Sequence, residues 1–183
     1  VGAALNRKEL LEHYAAALAT AVGGVDDQQT SSFVSEILAA RKIVTAGRGR
    51  SGMVAAAFCR RLGQMGLAAW GLDDTTVPKL ESGDVLVAAT GSGTTPTVLS
   101  LMDTARTGGA RVLVVTRSPS RIDDLADVVI PLDVPTPGAG QGFPLGTLFE
   151  ASLLAFLDLV VVELLVATGA TESDLGARHT NLE

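Results

Sequence analysis

DVLVAATGSGTTPTV, residues Asp84 to Val98, reads as a strand, a loop and the opening of a helix. Val85 to Ala89 form a short unbroken apolar run of the kind buried on both faces of a sheet. The run stops at Thr90-Gly91-Ser92-Gly93-Thr94-Thr95, and Pro96 then stands where the first turn of a helix tolerates a missing N–H, with Thr94 or Thr95 as its N-cap. A strand end, a glycine- and hydroxyl-rich loop and a helix N-terminus together make an anion cradle. The glycines let the backbone approach a ligand, the N–H groups and helix dipole favour negative charge, and the hydroxyls of Thr90, Ser92, Thr94 and Thr95 add hydrogen bonds. Four hydroxyls around Gly91 and Gly93 exceed what a turn alone requires, and phosphate is the natural guest.

Composition narrows the class. The chain has 183 residues, 47% of them hydrophobic but only 4% aromatic, which suits one domain cored by Ala, Val and Leu. A net charge of −6 without a dense Lys/Arg run argues against nucleic acid and membrane surfaces as partners. The single cysteine, Cys59, excludes an internal disulfide framework and fits a reducing compartment. In its setting AAAFCRRL it reads as a packed helix residue. The N-terminus lacks a signal pattern, so the expected location is the cytoplasm. Two distant histidines and one cysteine do not make a metal site, and no cofactor is expected.

Outward from the opening stretch, short apolar runs alternate with longer segments. Ile43 to Ala46, Ala68 to Leu72, Val85 to Ala89, Val112 to Thr116 and Val128 to Leu132 are five candidate strands, with room for a helix in each of the four gaps. The expected fold is α/β, a doubly wound parallel sheet, with ligands bound beyond the carboxyl ends of the strands where their order reverses. Gly47-Arg48-Gly49-Arg50-Ser51-Gly52 follows the first strand and fits G-x-G-x-x-G, with Asp73 and Asp74 after the second strand as ribose-binding acids would be. A dinucleotide site is therefore one reading. The late position of the acids, the second phosphate loop and the little chain left for a catalytic domain favour the other, in which Ser51 caps the next helix and Arg50 faces a ligand's phosphate or hydroxyls.

GRGRSG at 47–52 and ATGSGTTPTV at 89–98 together resemble the sugar isomerase (SIS) domain family, over Ile43 to Leu132. The resemblance implies a flavodoxin-like, five-stranded parallel sheet in an α/β/α sandwich. It also implies that Ser51, Ser92, Thr94 and Thr95 contact a phosphosugar, with Gly47, Gly49, Arg50, Thr90 and Gly93 completing the binding set.

The flanks read as additional helices. Leu10, Leu11, Tyr14, Ala15, Leu18 and Val22 outline one that Gly23-Gly24 ends, and Phe33, Val34, Ile37 and Leu38 outline another. His13, among charged neighbours, reads as a surface histidine. One domain over 1–183 is expected, with helices in 1–41, the parallel core in 42–132, and an active-site connection and C-terminal helices in 133–183. Pro135 to Gly142 reads as a linker in preference to a lid. Ala151 to Thr168 is membrane-like but interrupted by Asp158 and Glu163, hence a helix buried between protein surfaces. Thr147 with Glu150 would make a capping box there, which is the structural alternative to a chemical role for Glu150. Thr171 and Asp174 predict a short capped final helix with His179 near its end.

PLGTLFE at 144–150, the long apolar helix and the ending ESDLGARHTNLE resemble the 6-phospho-3-hexuloisomerase family. That family interconverts D-arabino-3-hexulose 6-phosphate and fructose 6-phosphate in formaldehyde fixation by the ribulose monophosphate pathway. Arg48 and Thr94 depart from it, standing where relatives commonly have a small residue and a glutamate. Moving a ketone between C2 and C3 through an enediol needs one carboxylate that serves as both base and acid, and Glu150 is the candidate. Opening the sugar ring suits a histidine titrating near neutral pH, and His179 is the candidate. The two cannot share adjacent helical turns, so a common site needs the chain to fold back or a second subunit to contribute. The resemblance implies a homotetramer with sites at subunit interfaces. Two other classes stay open: a phosphosugar-binding regulatory domain, with no need of Glu150, and the dinucleotide module.

Overall fold

The computed structural model of the chain describes residues 6–117, 122, 124–135 and 143–181. The connection read as a linker falls on 135–142, and all of it but Pro135 lies outside the described residues. Five strands, β1 (Ile43–Gly47), β2 (Ala69–Gly71), β3 (Val85–Thr90), β4 (Arg111–Thr116) and β5 (Val128–Pro131), form a single parallel sheet in the order β2-β1-β3-β4-β5. Around it pack α1 (Arg7–Gly23), α2 (Asp27–Ala39), α3 (Gly49–Gln64), α4 (Pro96–Thr107), α5 (Thr147–Thr168) and α6 (Glu172–Ala177).

Because side chains alternate along a strand, the sheet feeds two cores. Val85, Val87 and Ala89 of β3, with Leu113 and Val115 of β4, face Phe33, Phe58, Leu153 and Phe156 from α2, α3 and α5. Leu86 and Ala88, with Val112 and Val114, face Val98, Met102 and Ala105 of α4. All six residues of β3 are buried, as an unbroken apolar run in a parallel sheet requires.

Among the described residues, helices occupy two of the four gaps between strands, where the sequence left room for four. Residues 72–84 cross from β2 to β3 in turns, Asp74 donating its N–H to the Gly71 carbonyl and Val77 to that of Asp74. Asp73, Asp74, Pro78 and Gly83 make that segment a poor helix. Between β4 and β5 the described residues also form turns, around Ile122. The α4 face is thus covered by one helix and two loops, from which Leu72, Val77, Leu80 and Leu125 reach the core.

Strand order reverses between β1 and β3. From β1 the chain goes outward to β2, then returns to β3 and continues away through β4 and β5. The two strands pair directly, with Gly47 opposite Ala89 at their carboxyl ends. Both glycine-rich loops therefore leave the sheet side by side at the switch point.

At the opposite end, Asp84 anchors the foot of β3. It is fully buried, Oδ2 accepting the Glu81 N–H at 2.8 Å and lying 3.0 Å from Lys42 Nζ, with Arg41 3.5 Å from Oδ1. Burial pushes this carboxyl up, but the Lys42 and Glu81 hydrogen bonds and the two cationic neighbours outweigh it and hold it below the ordinary carboxylate range.

α5 is long and apolar enough, by length and composition alone, to cross a membrane. It packs instead against α1, α2 and α3, burying Phe149, Leu153, Phe156, Leu157 and Leu164 among others. One face stays open in the single chain, where Leu159, Val162 and Val166 are more than half exposed. The interrupting acids Asp158 and Glu163 are also exposed. The single chain thus supplies one of the protein surfaces between which the sequence expects this helix to be buried.

Candidate active site

Gly47 and Gly52 are required by packing. A Cβ on Gly47 would stand 2.8 Å from the Gly52 nitrogen, and one on Gly52 would stand 2.9 Å from the Gly47 carbonyl oxygen, so α3 starts in direct backbone contact with the end of β1. Gly49 has φ +58°, the left-handed region that glycine enters without strain. The N-cap of α3 is Arg48, with no side-chain cap hydrogen bond, and Ser51 lies half-buried inside the first turn. Ser51 is therefore not the cap, because the tight Gly47–Gly52 contact starts the helix before it.

The second loop follows the same plan. Thr95 is the N-cap of α4 and Pro96 its first residue, as the sequence predicts, yet Thr95 makes no side-chain cap bond. Its hydroxyl instead pairs with Thr90 Oγ1 at 3.1 Å and Ser92 Oγ at 3.3 Å, and Ser92 Oγ accepts the Thr94 N–H at 3.2 Å. Gly93, with φ +67° and its N–H 3.4 Å from the Thr90 carbonyl, turns the loop back over the strand end. Ser92 and Thr94 are exposed at the rim, while Thr90 is 2% exposed and braces Thr95 from below.

α5 brings the carboxylate. Phe149 lies against the loop so closely that a Cβ on Gly91 would be 2.8 Å from its ring. One residue on, Glu150 Oε2 lies 2.6 Å from Arg50 Nε, joining α5 to the first turn of α3. The capping-box alternative for Glu150 fails: Gly146 is the N-cap, Thr147 is already helical, and its hydroxyl donates to the Pro144 carbonyl. Leu145, just before, has φ 51° and is 84% exposed, a left-handed leucine that costs about 1–2 kcal/mol. Arg50, Glu150, Tyr14, Met53, Leu154 and Asp158 are among the residues lining a cavity of about 480 Å³ that runs from the ion pair down between α1, α3 and α5.

Three helix N-termini, those of α3, α4 and α5, thus have no side-chain cap. Those of α1, α2 and α6 are capped by Asn6, Asp26 and Thr171. First-turn N–H groups have no carbonyl partner within a helix, and where no side chain takes them they are donors for an anion.

His179 is not part of this assembly. The Thr171/Asp174 capping box starts α6 as predicted, and the Thr171 hydroxyl and N–H hold the Asp174 carboxyl below its ordinary range. The chain then passes Gly66, beyond the end of α3, where the Arg178 guanidinium lies 3.1 Å from the point a Cβ on that glycine would occupy. Arg50 opens that same helix, whose 16 residues span about 24 Å. His179 is exposed, its Nδ1 3.1 Å from the Thr180 carbonyl oxygen.

Several features escape the sequence. His13 is exposed as expected but its ring stacks on Phe143 at 5.9 Å, and Tyr14 tilts against the same ring at 5.2 Å, so α1 braces the approach to α5. Arg117, just past β4, donates Nε to the Gly91 carbonyl at 3.3 Å and so stands beside the hydroxyl loop. Its position after a strand's last residue was the available signal. Asp74, a ribose acid on the dinucleotide reading, accepts the Gly71 N–H at 2.8 Å and closes the end of β2. Asp73 faces Arg48 at 3.7 Å. Cys59 is buried in α3 as expected, and burial pushes its thiol up.

No protein-family model matches the chain. The 3-hexulose-6-phosphate isomerase of Methanocaldococcus jannaschii is 34% identical over 151 residues, 82% of this chain and 82% of that one. The enzyme of the same name from Methylomonas aminofaciens is 33% identical over 164 residues, covering 87% and 88% of the two chains. A crystal structure of a Methanococcus jannaschii protein, from which a molecular function of 3-hexulose-6-phosphate isomerase was inferred, superposes with a TM-score of 0.85 at 30% identity, covering 98% of this chain and 100% of that one.

Proposed function

Since the chain belongs to the 3-hexulose-6-phosphate isomerase family, we propose that it interconverts D-arabino-3-hexulose 6-phosphate and fructose 6-phosphate within formaldehyde fixation by the ribulose monophosphate pathway. It is an isomerase with the sugar isomerase fold. The observation that carries the mechanism is the 2.6 Å Arg50–Glu150 pair beside the hydroxyl-rich loop.

In the proposed reaction the substrate's phosphate rests on Ser92, Thr94 and Thr95 and on the uncapped first turns, with Gly47, Gly49, Ser51 and Gly93 shaping the approach. Glu150 takes the C2 proton of the 3-ketose, giving a C2–C3 enediol. It returns the proton to C3 while the hydroxyl proton passes from O2 to O3, leaving the ketone at C2. Arg50 orients the carboxylate and stands beside the oxygens on which negative charge develops. His179 opens the sugar ring, and its distance along α3 from Arg50 supports its acting in a neighbouring subunit's site. The proposed molecule is a single domain over 1–183, assembled as a homotetramer in the cytoplasm. The open apolar face of α5 supports assembly, and the lone buried cysteine suits a reducing compartment.

Fructose 6-phosphate supplied in deuterated water and followed by NMR tests the reading. Deuterium at C3 of the remaining fructose 6-phosphate and at C2 of a 3-ketose product is expected. Glu150→Gln should abolish both and leave sugar affinity within a few-fold; unchanged turnover removes Glu150 from the role. Binding with neither exchange nor rearrangement, by the unaltered protein, would make it a phosphosugar-sensing domain.

A further inference from the structure

We propose that Arg117 is the cation that binds the substrate's phosphate over the 91–95 loop, an inference that rests on the phosphosugar reading above. A phosphate monoester brings close to two negative charges at neutral pH, and the loop that would receive it contributes only hydroxyls and N–H groups. Charge-assisted hydrogen bonds are about twice as strong as neutral ones, so a cation at the rim decides affinity.

Three described arginines stand at the carboxyl end of the sheet. Arg48 faces Asp73 at 3.7 Å, and Arg50 holds Glu150 at 2.6 Å, so both are engaged by carboxylates. Arg117 is engaged by the loop itself. Thr90 and Thr116 are register partners at the ends of β3 and β4, so Gly91 and Arg117 leave the sheet together, and the Nε hydrogen bond to the Gly91 carbonyl fixes the guanidinium against the cradle. Half-buried there, it loses little freedom when a ligand arrives. The fork has five N–H donors, of which Gly91 takes one, and its planar geometry matches phosphate oxygens. Gly91 is itself braced, since the Phe149 ring packs closely against it.

The test compares the unaltered protein with Arg117→Gln and Arg117→Lys, using isomerase kinetics and the melting-temperature shift given by inorganic phosphate. Gln should raise KM about 10–100-fold with kcat changed less than about threefold, and should remove the phosphate-induced shift. Lys, a point charge without the fork, should recover part of both. If KM and the shift are the same for Gln as for the unaltered protein, Arg117 is not the phosphate cation. If phosphate does not stabilise the unaltered protein, the proposal also falls. Should the protein prove inactive on the sugar while phosphate stabilises it and Gln abolishes the effect, Arg117 stands and the isomerase reading fails. If Gln does not fold, Arg117→Met, which keeps an unbranched stem without the charge, decides by the same measurements: KM and shift equal to the unaltered protein's overturn the assignment.

Discussion

Gly47 touches the Gly52 backbone, whereas Gly63, in the same helix α3, has no atom within 4 Å of where a Cβ would be. Gly47→Ala should therefore cost about 1–3 kcal/mol through forced displacement of α3. Gly63→Ala should stabilise by about 0.5–1 kcal/mol, by lowering the entropy of the unfolded chain. Urea unfolding of the two variants checks the pair; equal effects would show that the Gly47–Gly52 contact yields easily. The contrast explains how the G-x-G-x-x-G pattern could suggest a dinucleotide. The pattern registers a strand and a helix meeting at their backbones, a need any ligand at that corner imposes, and it is silent on which ligand. Glu150 was legible as a carboxylate at the start of a helix, but its partner was not, since Arg50 lies 100 positions earlier in the chain and only tertiary packing joins them.

Among the elements, the apolar runs marked all five strands, each within one or two residues of its observed limits, and the helices α1, α2 and α6 were equally plain. Caps were misread at α3 and α5, where Ser51 and Thr147 proved to be inside the helix. Cap preference assumes that a helix start satisfies itself, and these starts are left open toward the site. β3 carries the reverse arrangement at its foot, where cationic and N–H partners gather on Asp84. Its depressed carboxyl contributes stability that is fully present above its unfolded value near 3.8 and is lost as pH falls through the lower folded value. Unfolding free energy should thus be level through pH 5–7 in this respect and decline below about pH 4. Asp84→Asn should remove part of that decline and cost about 1–3 kcal/mol at pH 7, because Lys42 and Arg41 lose their counter-ion while remaining partly exposed. Denaturant melts at several pH values decide; an unchanged acid limb would mean that other carboxylates govern it.

For the whole molecule, the separation of His179 from Glu150 makes the proposed assembly testable without a structure of it. Glu150→Gln and His179→Gln should each be nearly inactive alone. If a site takes Glu150 from one subunit and His179 from another, refolding the two variants together should restore activity at about a quarter of the sites by random pairing. No recovery, in mixtures shown to contain hybrid oligomers, would mean that both residues serve one subunit's own site. The Arg50–Glu150 pair carries a last consequence, for the growing chain. The cradle is built from near neighbours in sequence, and its loops and Arg117 have all been made by residue 117. Its carboxylate arrives more than thirty residues later, on a helix that must settle against α1, α2 and α3 before Glu150 can reach Arg50. During synthesis, then, the capacity to hold an anion precedes the capacity to move a proton, and chemistry waits on a contact between residues 100 positions apart in the chain.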